Sequence, residues 1–398
     1  MAVYGEGKQG ILIIGESPSK MEEIQGIPFC GPAGELLQQE LSRNGISLRR
    51  DCWTTNAVIC CPYGDVKNRD GQIERKPRNP EIREIEHCRP NIIREITQRK
   101  PEKILLLGAA AVKSVIGWLW KGEGSDENSK AGKKGDKMGK WVGWRIPSQR
   151  LNAYICPIYH PSFVLHTDRD KPTKENDLRR LFFSQQLERA LAKSGRPWKE
   201  TPNWLSKCIT VQDDREAAKL VRTMTAAGQP LAFDYETDRL KPDHKDARIL
   251  SCSVSDGRTS VAFPWYGESV KATSEMIQNK IPKIAQNIKF EFRWTLKTLG
   301  FPINNAAFDT MLAAHVLDNR PGITGLKFQA FVTLGVDPYN EFVLPYMKSK
   351  DDSSNGVNRL PELIKESGYE KLLQYNAMDS LLEWKLAKIQ MKRLGIVL

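Results

Sequence analysis

The stretch PLAFDYETDRL, residues 230–240, decides the fold of the second half of the chain. Its apolar lead-in, residues 231–233, predicts a buried strand, and Asp234 and Glu236 stand where we expect that strand to end. Because side chains along a strand alternate between its two faces, both carboxylates point the same way. Two like charges side by side repel and raise each other's pKa. A cation between the two carboxylates would relieve that repulsion.

Further acidic residues downstream are candidate ligands for such a cation. NIKFEF, residues 287–292, places Glu291 at the start of a predicted helix, and QYNAMDS places Tyr375 and Asp379 four residues apart, on one side of another. Carboxylate clusters bind hard divalent cations such as Mg²⁺. Two such ions stabilise the attacking and leaving oxygens of phosphodiester cleavage. The sequence therefore predicts a site in which four carboxylates and one tyrosine converge on two divalent cations, Mg²⁺ or Mn²⁺.

The elements around these acids form an α/β pattern. ARILSCSV and SVAFPW flank SDGRT, which predicts a β-hairpin over residues 247–265. Periodic apolar residues predict three helices, in the stretches KFEFRWTLKTLG (289–300), AAFDTMLAAHVLD (306–318) and LLQYNAMDSLLEWKLAKIQMKRLG (372–395).

The first half of the chain also alternates strands and helices. ILII (11–14), KILLLG (103–108) and AYICPIYHP (153–161) predict strands. ELLQQELSRNG (35–45) predicts a helix with Gly45 as its C-cap, and AAAVKSVIG (109–117) predicts another. Alternation of this kind predicts a mostly parallel sheet flanked by helices. The fold class expected for the whole chain is therefore α/β.

Composition divides the chain into two domains. KSGRPWKETPN, residues 193–203, is rich in Pro, Gly and charge, which is typical of a linker. We therefore expect one domain over residues 1–192, a linker over 193–204 and a second domain over 205–398. The polar, Gly-rich and mostly basic stretch 121–140 predicts a mobile loop, with a solvated insertion favoured over a DNA-binding arm.

Length, charge and cysteine content limit the classes of protein. The chain has 398 residues, 40% of them hydrophobic, so it can bury a core, and its net charge of +12 suits a polyanionic partner such as nucleic acid. No apolar run approaches membrane-spanning length and the N-terminus lacks the pattern of a signal peptide. We therefore expect a soluble, cytoplasmic protein without a membrane partner. Its eight cysteines are expected to be buried thiols or metal ligands rather than a disulfide scaffold.

The acidic motifs of the second half resemble those of a known nuclease family. FDYETD, then AQNIKFEFRWTLKTLG followed by AAFDTMLAAHVLD, then YNAMD resemble, in order, the three motifs of the 3′–5′ exonuclease domain of family A DNA polymerases, the DEDD type with tyrosine. The resemblance covers residues 205–395 and implies a ribonuclease H-like mixed sheet. It also implies roles for six residues. Asp234, Glu236 and Asp379 would be metal ligands, and Glu291 would act through the second metal or its water. Tyr375 would orient the attacking water, and Asn287 would bind substrate.

One position departs from that family. Where this chain has Glu291, the family usually has Asp. The longer side chain can still reach the site through a rotamer change, and it can also slow the reaction.

Four stretches of the first half resemble the family 4 uracil-DNA glycosylases over residues 1–190: GESPSKMEEIQGIPFCGPAGELL (15–37), TTNAVICCP (54–62), LLLGAAAV (105–112) and YHPSFVL (159–165). The resemblance implies a parallel-sheet α/β/α domain that flips a base out of DNA. Phe29 would stack on that base. The amide of Asn56 would match O4 and N3–H of uracil. His160 would donate to the charge that develops on uracil O2.

The loop after the first strand carries the remaining residues of this resemblance. Glu16 and Glu22 match the family's acids, which position water or shape the pocket. Ser17 and Ser19 depart from the family's pattern of small residues, in which Gly commonly stands at the position of Ser19. We expect these added side chains to narrow the pocket.

The cysteines leave two alternatives open. Members of this family usually hold a [4Fe–4S] cluster with four cysteine thiolates. Cys60 and Cys88 match the later pair, but the earlier C-x-x-C pair is absent, so the ligand set is incomplete. Three further cysteines are possible substitutes, namely Cys30, Cys52 and Cys61. Either two of these complete the cluster or the fold has lost it.

Together, the two resemblances imply a bifunctional DNA-processing enzyme of a viral or bacterial replication system. Its substrates would be single-stranded DNA, 3′ ends and uracil-containing DNA, and its partner a separate DNA polymerase. Two alternatives remain at this point. The first is an exonuclease whose glycosylase-like domain only binds DNA, and the second is a non-catalytic DNA-binding scaffold for a polymerase.

Overall fold

A computed structural model describes residues 1–67, 72–120, 138–168, 174–192, 195–347 and 356–398. Contacts divide the chain into two compact units, one of residues 1–201 with 332–337 and one of residues 202–331 with 338–398. Most of the predicted loop over 121–140 lies outside the described residues, and its last three residues belong to a short helix, Met138–Trp141.

The first half contains seven strands and seven helices among its described residues. The strands are β1 (Ile11–Gly15), β2 (Cys52–Asn56), β3 (Tyr63–Lys67), β4 (Ile73–Pro77), β5 (Lys103–Leu107), β6 (Ile146–Ser148) and β7 (Ala153–Ile158). The helices are α1 (Lys20–Gln25), α2 (Pro32–Arg43), α3 (Ile82–Arg99), α4 (Ala109–Leu119), α5 (Met138–Trp141), α6 (Pro161–Asp168) and α7 (Lys174–Leu191).

The five-stranded sheet of the first half has the order β2-β1-β5-β7-β6. Its first four strands are parallel and β6 is antiparallel. All residues of β1 and β5 are buried, as expected for parallel strands covered on both faces. The predicted parallel-sheet domain is therefore confirmed. Sequence analysis missed the β3–β4 hairpin, because its polar, exposed strands have no apolar alternation.

The second half contains six strands and eight α-helices among its described residues, besides one 3₁₀ turn, Leu205–Lys207. The strands are β8 (Cys208–Thr210), β9 (Leu231–Thr237), β10 (Ile249–Ser255), β11 (Ser260–Pro264), β12 (Lys283–Ala285) and β13 (Ala306–Asp309). The helices are α8 (Asp214–Ala226), α9 (Gly267–Gln278), α10 (Lys289–Leu299), α11 (Thr310–Leu317), α12 (Leu326–Leu334), α13 (Leu344–Met347), α14 (Leu360–Ser367) and α15 (Glu370–Leu394).

The second sheet is mixed, with the order β13-β12-β9-β10-β11-β8. Strand β9 lies at its centre, parallel to β12 and antiparallel to β10, and β10 forms the predicted hairpin with β11. Phe233 and Tyr235 of β9 face a core with Val254 and Trp294. Since their neighbours Asp234 and Glu236 alternate with them, the two acids face away from this core. The predicted mixed-sheet fold is confirmed.

One predicted helix was too long. The residues AAFD form strand β13 rather than the first turn of a helix. Asp309 ends this strand and N-caps α11, because its carboxylate accepts hydrogen bonds from the backbone N–H groups of Met311 and Leu312. Among the described helices, none is long and apolar enough to cross a bilayer.

Candidate active sites

Three carboxylates of the second half converge. Asp234 and Glu236 lie on β9, and Asp379 lies on α15. Each offers a carboxylate oxygen within 4.8 Å of the other two. Strand β9 continues to Thr237, so both of its acids lie within the strand and not beyond its end. Two of the acids share a face of β9 because they are two residues apart. The third comes from α15, which packs across the sheet.

The electrostatics of the cluster favour a cation. Burial and then the charge of Asp379 raise the pKa of Asp234 to about 8. Burial and then the charge of Asp234 raise the pKa of Glu236 well above its usual range. Asn376 offsets part of this repulsion by donating a 2.6 Å hydrogen bond from Nδ2 to Oδ2 of Asp234. Bound positive charge would lower the pKa of Asp234 and Glu236 again.

Lys327 already brings one positive charge to the cluster. From α12, its Nζ forms an ion pair with Asp379 and donates a 2.6 Å hydrogen bond to the hydroxyl of Tyr375. Burial alone would lower the pKa of Lys327, but the charges of Asp379 and then Glu236 outweigh it and raise that pKa. An ammonium stabilised here stands in for a cation, so the donor set fits divalent metal ions.

Lys327 and Tyr339 are site residues that sequence analysis missed. The hydroxyl of Tyr339 donates to Asp379, and its ring lies 6.0 Å from that of Tyr375, centroid to centroid. Lys327 and Tyr339 precede Asp379 by 52 and 40 residues along the chain, and no local motif marks them. An open pocket of about 260 Å³ adjoins them, lined by Leu205, Pro338, Tyr339, Glu341, Phe342, Gln374, Tyr375 and Met378.

The remaining predicted residues of this site lie around α10. Glu291 is buried in its first turn, but it is outside the set of three acids that meet within 4.8 Å in the described part of the chain. Asn287 lies in the turn before α10 with a left-handed φ of 58°, and its N–H donates to Asp309 at 3.0 Å. The structure thus gives Asn287 a turn-forming role, while substrate binding by its side chain stays a prediction.

The predicted residues of the first half lie at the carboxyl ends of parallel strands. Glu16 follows β1, Asn56 ends β2 and His160 follows β7. The ring of Phe29 stacks near His160, with 6.5 Å between centroids and 28° between planes. Nδ2 of Asn56 is buried and has no hydrogen-bond partner among the described residues. A buried amide without a hydrogen-bond partner beside an aromatic ring is typical of an unliganded binding site for a polar, planar ligand.

Gly15 makes room for this pair. A Cβ at this position would lie 2.3 Å from Oδ1 of Asn56 and 2.8 Å from Cζ of Phe29. Both distances are below van der Waals contact, so any other residue would displace the amide or the ring.

Glu22 organises the loop that carries Phe29. Its carboxylate accepts hydrogen bonds from the backbone N–H groups of Phe29 and of Ser19. Ser19 is exposed and N-caps α1, so its hydroxyl is engaged by the helix rather than directed at the pocket. On the other side, Arg49 donates to the Phe29 carbonyl at 3.1 Å. These contacts hold Phe29 at a left-handed φ of 56°.

Glu16 and His160 have defined local contacts. Oε1 of Glu16 accepts from the N–H of Ala110 at 3.2 Å, at the start of α4. Nδ1 of His160 accepts from the N–H of Ser162 at 3.2 Å. In the neutral imidazole this places the ring proton on Nε2, which is then a donor.

Two of the predicted cluster cysteines lie together. Cys60 and Cys88 line an open pocket of about 340 Å³ together with His87. In the ranges that the structure describes, neither cysteine belongs to a group of three ligand atoms close enough to share one metal ion. Cys52 is buried in β2, and Cys61 and Cys30 are also outside any such group. Cys60 and Cys88, the two cysteines that match the family's cluster ligands, thus lie together, and a [4Fe–4S] cluster would need two further protein ligands.

Two family models match the chain, one in each half. The model described as "Uracil DNA glycosylase superfamily" matches residues 2–183. The model described as "3'-5' exonuclease" matches residues 208–394.

Known proteins match the same two regions. A type-4 uracil-DNA glycosylase of Pyrobaculum aerophilum is 34% identical over 192 residues, which cover 48% of this chain and 86% of that protein. DNA polymerase I of Chloroflexus aurantiacus is 33% identical over 127 residues, which cover 30% of this chain and 13% of the polymerase. The solved structure of NrnC from Brucella melitensis is 21% identical in sequence to this chain, with a TM-score of 0.32. The match covers 42% of this chain and 74% of the NrnC chain.

Proposed function

This chain belongs to the type-4 uracil-DNA glycosylase family and also carries a 3′–5′ exonuclease domain, and on that premise we propose that one polypeptide excises uracil from DNA and degrades DNA from 3′ ends with divalent cations. The enzyme is a hydrolase. The observation that carries the exonuclease proposal is the convergence of Asp234, Glu236 and Asp379 within 4.8 Å.

The exonuclease site would hold two divalent cations. Asp234, Glu236 and Asp379 are the ligands we assign, with Glu291 contributing to the second ion. When bound, Mg²⁺ or Mn²⁺ ions stabilise the attacking and leaving oxygens of phosphodiester hydrolysis. The Lys327 ammonium supports this assignment, because it shows that the site accommodates positive charge next to Asp379.

Tyr375 is positioned to orient the attacking water. Lys327 donates to its hydroxyl oxygen, so the phenolic proton points elsewhere and is available for donation. The neighbouring pocket, lined by Tyr339, Phe342 and other apolar side chains, fits the base of a 3′-terminal nucleotide by stacking. Stacking does not depend on base identity, as a general 3′–5′ exonuclease requires.

The first prediction is complete loss of exonuclease activity on chelation. Three neighbouring carboxylates cannot bind a phosphodiester anion without cations, because their charges repel it. We expect EDTA to stop release of 3′-terminal nucleotides from 5′-labelled single-stranded DNA, and excess Mg²⁺ or Mn²⁺ to restore it. Undiminished degradation in EDTA would contradict a metal-dependent site.

The glycosylase proposal rests on the orphaned amide of Asn56. Its Nδ2–H donor pairs with O4 of uracil, and its Oδ1 acceptor pairs with N3–H. Cytosine presents the opposite pattern, a donor in place of O4 and an acceptor in place of N3–H. Phe29 stacks on the extruded base, and Nε2–H of His160 donates to O2 as negative charge develops on the departing base. Glu16 and Glu22 shape the pocket through their backbone contacts.

The second prediction concerns Gly15. We expect Gly15→Ala to destabilise the N-terminal domain by about 1–3 kcal/mol, because the methyl group overpacks against Asn56 and Phe29. The rate of uracil release should also fall, since the Asn56 amide that pairs with uracil is displaced. Gly31→Ala is the matched control, because its φ is −102° and a Cβ there meets no atom within 4 Å. Urea denaturation and single-turnover excision measure the two effects. Equal free energies of unfolding and equal excision rates for the two variants would contradict the proposed pocket.

A DNA-binding module without excision is the second candidate for the first half. The observation in its favour is that the chain matches only two of the family's cluster cysteines, Cys60 and Cys88, which line one pocket. Incubation with a uracil-containing oligonucleotide, followed by alkaline cleavage at abasic sites, separates this candidate from an active glycosylase. A DNA polymerase as a separate partner of the chain also remains a proposal, which fits a proofreading type of exonuclease.

A further inference from the structure

Two half-buried tryptophans of the second half are surrounded by lysines. Nζ of Lys207 lies 5.2 Å and Nζ of Lys385 lies 5.6 Å from the ring centroid of Trp204. Lys385 is also 5.9 Å from the ring centroid of Trp384, and Lys388 is 5.7 Å from the same centroid. The two rings thus bring together three ammonium groups from two separate segments, the 3₁₀ turn and α15. We call these three lysines the basic patch.

The lysines of the basic patch lack acidic partners. In the part of the chain that the structure describes, none of their ammonium groups forms an ion pair with a carboxylate. Burial and then the charges of Lys207 and Lys388 lower the pKa of Lys385, while the charge of Asp256 acts in the opposite direction. The Asp256 carboxylate is engaged by backbone N–H groups of the turn that follows it. Like charges held together without a counter-ion favour the binding of an anion.

The basic patch lies on the face of α15 that also lines the apolar pocket beside the carboxylates. Gln374 and Met378 line that pocket, and Lys385 follows Met378 by two helical turns. Residues four and seven apart lie on one face of a helix, so the three side chains share a stripe. The patch therefore begins about 10 Å further along the helix. Leu205, which also lines the pocket, lies in the same 3₁₀ turn as Lys207.

The helix dipole does not account for these lysines. The end of α15, residues 384–394, holds four basic side chains and no acidic one. Two of them, Lys392 and Arg393, lie in the last turn, where cations interact favourably with the dipole. Lys385 and Lys388 lie further from the end of the helix, and the dipole effect falls off within the last turn. Their position beside the two indole rings therefore needs another explanation.

We propose that Lys207, Lys385 and Lys388 bind the phosphodiester backbone of single-stranded DNA, a few nucleotides upstream of the 3′ end that is held at the carboxylates. This inference rests on the proposed exonuclease and concerns the part of its substrate beyond the terminal nucleotide. Each phosphate carries a negative charge, so a strand that leaves the pocket along α15 matches the row of ammonium groups. Cation–π contacts hold the lysine stems on the rings and so position the ammonium groups before DNA binds.

Hydrolysis of thymidine oligonucleotides of different length by the full chain tests this inference. A dinucleotide occupies the carboxylate site and the pocket, whereas longer strands also reach the basic patch. In Mg²⁺ we expect the parent to have a lower KM for long strands than for the dinucleotide. In the triple variant Lys207→Gln, Lys385→Gln, Lys388→Gln this advantage should fall about tenfold, and dinucleotide hydrolysis should keep the parental rate. Each lost phosphate contact should also reduce the slope of log KM against log salt concentration by about 0.7.

The matched control is the triple variant Lys219→Gln, Lys297→Gln, Lys365→Gln, which removes the same charge from exposed positions on three other helices. Replacing the three patch lysines by arginine keeps the charge and should keep the advantage of long strands. A patch variant with the full advantage, or with dinucleotide hydrolysis lost as well, would overturn the proposed strand contact. So would a parent that hydrolyses both substrates with equal KM. A parent that hydrolyses neither substrate would overturn the exonuclease itself.

Discussion

Exonuclease activity is expected to fall on the order of 10³-fold or more when Asp234→Asn and Glu236→Gln are combined. A single preorganised electrostatic group is typically worth about 10²–10³ in rate, and this variant removes two ligand charges from one site. The substitutions are isosteric, and Asn376 can still donate to the oxygen of residue 234. They also remove repulsion that raises the pKa of both acids, so the metal-free fold should be at least as stable.

The measurement is single-turnover release of the 3′ nucleotide from end-labelled DNA in Mg²⁺. Glu275→Gln is the matched control, because that acid lies exposed on α9 in an ion pair with Arg222. Uracil excision by the double variant should stay at the parental rate, since the changes lie in the other domain. A double variant that digests DNA as fast as the parent would show that the nuclease site lies elsewhere.

Uracil excision is expected to slow about 10²–10³-fold on His160→Ala, with little change in DNA binding. The contact from Ser162 to Nδ1 keeps the ring proton on Nε2, so the imidazole donates where charge appears only as the glycosidic bond breaks. Such a donor stabilises the transition state more than the bound substrate. The loss should therefore appear in the chemical step, not in the dissociation constant for DNA.

The assay is single-turnover cleavage of uracil-containing DNA, in the Asp234→Asn, Glu236→Gln background that silences the nuclease. His244→Ala is a close control. Nδ1 of His244 accepts from the N–H of Asp246, two residues on, as His160 does from Ser162, but His244 is exposed on the other domain. Full excision by His160→Ala would mean that this loop has been assigned wrongly. No excision by the parent would favour the DNA-binding module.

Local patterns predicted the parts of the nuclease site that lie within single elements. Alternation along β9 placed Asp234 and Glu236 on one face, and the spacing of four placed Tyr375 beside Asp379. Strand β13 was missed because Ala and Phe in a four-residue run are compatible with either a strand or a helix. A short apolar run next to a helix has too few residues to show whether its hydrophobic period is that of a strand or that of a helix.

Contacts between distant elements were outside the reach of the sequence. Lys327 and Tyr339 meet Asp379 only because the segment containing α12 packs against α15, and this is set by the tertiary fold. The burial of Glu383 on α15 was also missed, although this acid continues the i, i+4 row of Tyr375 and Asp379. The missing signal was burial, which distinguishes a buried acid from an ordinary surface charge.

The two hydrogen bonds that Glu22 accepts have a thermodynamic consequence. By fixing the backbone of Ser19 and Phe29 in the free enzyme, this carboxylate removes conformational entropy before any DNA arrives. A flipped base then meets a ring that is already immobile, so little affinity is lost in ordering the loop. In Glu22→Gln, where one acceptor oxygen becomes a donor, that ordering would take place during binding. The variant's deficit would then be entropic, visible in calorimetry as weaker binding with a less favourable entropy.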